Sequence, residues 1–86
     1  MGGIPLEAYI GMRSLTYAQR AARYLTGKGL AASAARAPWS GTGCAYALRL
    51  RPRDLEQGKA LLRQAGFVPG SVYIREKDGT LREAVP

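Results

Sequence analysis

The chain has no histidine and one cysteine, Cys44. A single thiol excludes a disulfide within the chain. Without imidazole or a second thiolate, one chain cannot assemble an ordinary transition-metal site, so no metal is expected. Catalytic dyads and triads that need histidine are excluded as well, and no paired carboxylates converge by spacing to do acid/base work. No cofactor is expected either. Gly41-Thr42-Gly43 is too short for a phosphate-binding loop and lacks the lysine which that motif requires.

Long hydrophobic runs are also missing. The longest stretch without a charge, Ala37–Leu48, falls short of the ~18 apolar residues of a membrane span. Met1–Leu6 has no basic n-region and no apolar h-region. Leu6 stands where a myristoylation signal starting at Gly2 would need Ser or Thr. These features lead to the expectation of a cytoplasmic protein with no membrane attachment. Acids are scarce, with six Asp and Glu against thirteen Lys and Arg, net +7. Such an excess suits nucleic acid or an acidic protein surface. The cations are scattered from Arg13 to Arg82 with no two adjacent, so a solvated surface is the plainer reading. No strand alternates basic and aromatic residues in the manner of an RNA-recognition sheet; Arg49-Leu50-Arg51 offers cations alone.

What is present fits one small globular domain spanning 1–86. The apolar share of 47% and charged share of 22% are ordinary for a folded protein. A domain of this size buries only about 60–65% of its unfolded surface. Its core is thin, and a homodimer contact through an edge strand would help.

Leu6–Arg13 alternates as a strand. Ser14 is a suitable N-cap for a helix with Leu15, Ala18, Ala21, Ala22 and Leu25 on one face, and Gly29 is its expected stop. Tyr17 and Tyr24 extend that apolar face. Leu30–Ala37 reads as a short, weak strand. Cys44–Arg51 gives the clearest alternation in the chain. Pro52 and Asp54 open a second helix with Leu55, Gly58, Leu61, Leu62 and Ala65 inward and Glu56, Lys59 and Arg63 on the surface; Gly66 ends it. Val72-Tyr73-Ile74 is a strand. Lys77-Asp78-Gly79-Thr80 is a tight turn, and Leu81–Val85 is the edge strand offered to a second copy. The order β-α-β-β-α-β plus a hairpin strand predicts an α+β, ferredoxin-like split-βαβ fold: one antiparallel sheet with both helices on one face.

The segment with chemistry in it is Pro38–Cys44. Gly41 and Gly43 let a partner or small anion approach closely. Thr42 and the loop N–H groups could support a thiolate at Cys44, and Arg36 and Arg49 would lower the thiol pKa or dock an acidic partner. Against this stands the ordinary reading of a lone cysteine as a small buried hydrophobe. Trp39 is either a docking aromatic or a core or lid residue.

The helix after a short strand, then Ala37-Pro38, then Ser40-Gly41-Thr42-Gly43-Cys44-Ala45-Tyr46-Ala47-Leu48-Arg49 and a second helix, resembles a small uncharacterised bacterial family described as selenium/sulfur-carrier-like proteins. The resemblance runs from Tyr9 to Phe67. Its specific part is Gly43-Cys44 with Ala47-Leu48-Arg49. The chain departs from that family in having Ala45 where glycine often follows the cysteine, and only Pro38 in the loop. The resemblance implies a non-enzymatic carrier. Cys44 would take sulfur or selenium from a donor enzyme as a persulfide and hand it to an acceptor protein. The alternative is a basic binding module for nucleic acid or an acidic protein, with Cys44 structural.

Overall fold

The computed structural model describes residues 3–39 and 45–84. The elements are β1 (Pro5–Met12), α1 (Leu15–Gly27), β2 (Ala32–Arg36), β3 (Tyr46–Leu50), α2 (Leu55–Gln64), β4 (Val72–Glu76) and β5 (Leu81–Ala84), with a 3-10 turn at Pro52–Asp54 leading into α2.

The strands form one sheet in the order β2-β3-β1-β4-β5, antiparallel at every junction. β3 lies between β1 and β2, and β1 lies between β3 and β4, which is the split-βαβ arrangement. The expected α+β, ferredoxin-like sheet is therefore present, with β5 added beside β4. Val85, the last residue of the expected edge strand, lies outside the described residues.

Both helices close over one face. Ala8, Ile10 and Met12 of β1, Leu48 and Leu50 of β3, and Val72 and Ile74 of β4 meet Ala18, Ala21, Ala22 and Leu25 of α1 and Leu55 and Leu62 of α2. Small residues on α1 let it settle close to the sheet. Gly58 does the same for α2: a Cβ there would come within 2.9 Å of Leu50 Cδ1.

The helix ends follow from local chemistry. Ser14 Oγ accepts the Tyr17 N–H at 3.0 Å, satisfying one of the free donors of the first turn. Both helices stop in the same way. Gly29 and Gly66 take φ of +91° and +87°, a region that costs a side chain energy. Leu30 N–H then bonds back to Leu25 C=O, and Phe67 N–H to Leu62 C=O, the long bond of a Schellman cap. The residue after each glycine, Leu30 and Phe67, packs into or against the core.

Three face assignments change. Leu15 lies in the first turn of α1 and stays exposed, as does Ala65 at the end of α2. Tyr17, expected to extend the apolar face, is buried there. Lys59, expected on the surface, is buried with its ammonium 3.1 Å from Glu56 Oε2. A lysine stem is apolar enough to line a core while its charge finds a partner. In the β4–β5 turn, Asp78 Oδ1 accepts the Thr80 N–H at 2.8 Å. That bond holds the Asp78 carboxyl below the usual aspartate range.

Candidate functional site

Cys44, with Ser40, Gly41, Thr42 and Gly43, lies outside the described residues. The chain on either side of them is well placed. β2 and β3 form a hairpin whose pairs run from Ala32–Leu50 to Arg36–Tyr46. Beyond the last pair, Ala37 N–H donates to Ala45 C=O at 2.9 Å. The residue after Cys44 is thus bound to the start of the connection. Two residues beyond Ala37, the half-buried Trp39 stacks on Tyr73 of β4, with ring centroids 4.3 Å apart and planes 20° from parallel.

That stack lies on the sheet face without helices. Tyr73 pairs in register with Tyr9, and Tyr9 with Arg49; partners across an antiparallel ladder share a face. β2 is the far edge strand, so Trp39 reaches over β3 and β1 to touch β4. Tyr9 is only 5% exposed and Ala47 fully buried on this second face. Alternation in β1 and β3 therefore hides residues on both sides of the sheet.

The two arginines singled out in the sequence are not brought together. Arg36 pairs with Tyr46, on the helix side of the sheet, and its guanidinium lies 5.7 Å from the centre of that ring. Arg49 points to the opposite face, where its guanidinium is 3.7 Å from Glu7 Oε2. Glu7 also meets Arg75 Nε at 3.9 Å and accepts the Tyr9 hydroxyl at 3.1 Å. Arg49 is thus partly neutralised. Arg36 has no carboxylate within 4 Å among the described residues. Of the two, Arg36 retains more of its charge for a neighbour or partner.

No group of three or more potential metal ligands converges among the described residues. The grooves there are shallow. One of about 380 Å³ runs along Leu6, Ala32, Ser33, Arg49 and Arg51. Its two arginines are held by Glu7 and by Asp54, the latter accepting Arg51 Nε–H at 3.0 Å.

Sequence inspection residue by residue misses a charge boundary. No acid occurs between Glu7 and Asp54, while eight of the thirteen cations do. The tertiary structure divides that set. Arg49 and Arg51 find acids; Arg13, Arg20, Arg23 and Lys28, on α1 and its flanks, find none within 4 Å among the described residues. Counting acids along the chain, rather than cations, exposes the acid-free stretch; which of its cations stay unpaired is decided by the fold. No family model, curated protein or solved structure matches the chain.

Proposed function

We propose that the protein is a small accessory protein that carries sulfur or selenium on Cys44 between a donor enzyme and an acceptor protein. The observation that best supports this reading is the hairpin closure next to the thiol: Ala45, the neighbour of Cys44, is hydrogen-bonded to Ala37. The Trp39–Tyr73 stack anchors the other side of the same connection. A reactive group gains precision when its flanks are tied to a rigid sheet. The stretch between Glu7 and Asp54, which contains Cys44, holds eight cations and no acid.

The exchange needs no oxidant. The Cys44 thiolate attacks the outer sulfur of a donor persulfide; a new S–S bond forms on Cys44, the donor's S–S bond breaks, and the donor leaves as a thiolate. An acceptor thiolate repeats the step on the Cys44 persulfide. A chain without histidine can perform this, since both leaving groups are thiolates.

The test is the rate of Cys44 alkylation against pH on the folded protein, read by intact mass, followed by persulfide loading from a desulfurase. Labelling with an apparent pKa below the free-thiol value of about 8.5, and loading that is lost in Cys44→Ser while the fold persists, are expected. Labelling only on unfolding, or loading retained in Cys44→Ser, would overturn the carrier. The second reading, a basic binding module with a structural cysteine, is favoured by the acid-free stretch. It predicts binding that falls steeply with salt and is indifferent to Cys44→Ala.

A further inference from the structure

Arg13, Tyr17, Arg20, Tyr24 and Lys28 follow one another at spacings of three or four residues. Such spacing aligns them along one side of α1 and its flanks, over a run of about 20 Å. Phe67, from the turn after α2, packs against both tyrosines, its ring centroid 5.2 Å from that of Tyr17 and 6.0 Å from that of Tyr24. Two hollows flank this contact. One of about 260 Å³ is lined by Arg13, Tyr17, Arg20 and Val68 among others, and one of about 310 Å³ by Arg20, Arg23, Tyr24 and Phe67. Val68 is 71% exposed, although its N–H is held by the Tyr17 hydroxyl at 2.6 Å. Arg13, Arg20, Arg23 and Lys28 are all exposed.

We propose that this face docks an acidic, partly apolar segment of a partner protein. An apolar centre with a charged rim is the anatomy of a protein interface, and arginine and tyrosine are the residues that anchor one. Four cations with no acid within 4 Å among the described residues set the sign of the partner. Single-stranded nucleic acid would satisfy the cations, but it also needs free ring faces for its bases. Here the Arg13 guanidinium already lies 4.1 Å over the Tyr17 ring and the Lys28 ammonium 5.6 Å from the centre of the Tyr24 ring. Exposed Val68 has nothing to offer a phosphate, whereas it can pack against a peptide side chain. The surface is independent of Cys44 and stands whether or not that residue carries sulfur.

The probe is a fluorescein-labelled peptide of about 20 residues with Glu and Leu at helical spacing, long enough to cover the run. It is compared, by anisotropy with the full chain under reducing conditions, with a version in which Gln replaces Glu and with labelled oligo-dT. Saturable binding of the acidic peptide alone is expected. Arg20→Glu with Arg23→Glu should weaken it about tenfold or more. Arg53→Glu with Lys77→Glu, the same change of net charge away from α1, should weaken it less than about threefold. Val68→Ser, which changes no charge, should weaken it about threefold. Circular dichroism checks that each variant is folded. Equal losses in the two charge-reversed pairs would mean attraction by net charge alone and would overturn the proposal. Absence of saturable binding, tighter binding of oligo-dT, or no effect of Val68→Ser would overturn it as well.

Discussion

Trp39 shows how one residue changes meaning once its neighbours are known. As a lone tryptophan before a glycine-rich segment it suits docking, but packing as a core or lid residue is the plainer reading. Stacked on Tyr73 and half-buried, it is part of the fold. Aromatic pairs of this kind contribute about 0.5–1.5 kcal/mol beyond the area they bury. Trp39→Ala is therefore expected to destabilise by at least about 1 kcal/mol, lowering Tm by about 4–8 °C in a domain of this size. An unchanged Tm in a thermal melt would show that the stack carries no weight. Arg49 makes the same point from the side of charge. Alternation places it away from the helices, but its pairing with Glu7 comes from β1, far away in the chain.

At the scale of elements, the two helices share a stop signal, Gly29-Leu30 and Gly66-Phe67. Each glycine adopts a positive φ while the following residue closes the cap and packs into or against the core. Gly29→Ala and Gly66→Ala should each cost about 1–2 kcal/mol, because a Cβ is disfavoured in that backbone region. A Cβ added at either glycine would meet nothing within 4 Å beyond its chain neighbours, so urea midpoints would report backbone strain uncomplicated by a clash. A variant as stable as the parent would mean that the cap relaxes to another geometry. β2 and β5 are the elements whose sequence signals are weakest. Alanine is a poor strand former, and Ala32–Arg36 is held by pairing with β3 on a single edge.

For the whole molecule, the decisive feature is where opposite charges end up. Glu7, Asp54, Glu56 and Glu76 all sit beside cations, leaving the positive charges of α1 to repel one another. Each of these pairs keeps at least one partner open to solvent, and ion pairs that water reaches are worth about 0–1 kcal/mol each and weaken with salt. The uncompensated charge of a protein at net +7 is screened too, and that favours the compact state. Raising NaCl from low to physiological concentration is therefore expected to increase Tm. A fall would show that the ion pairs outweigh the repulsion on α1.

The order of elements, both helix stops, the N-cap at Ser14 and the inward stripe of α1 from Ala18 to Leu25 are all legible in the residues themselves. Each is a local matter of backbone preference and periodicity, settled within a few positions. The residues also limit the chemistry, since a chain with one thiol and no imidazole has few reactions open to it. Folding was needed to place Arg36 and Arg49 on opposite faces of the sheet, each with its own partner. It was needed as well to carry Trp39 across to β4, to bury Lys59 and to leave the cations of α1 and its flanks with no acid within 4 Å among the described residues. Those outcomes depend on contacts between residues distant in the chain, such as Glu7 with Arg49 and Arg75, or Tyr17 with Phe67 and Val68. Periodicity tells which side of its own element a residue takes; it carries no record of what the fold brings to that side.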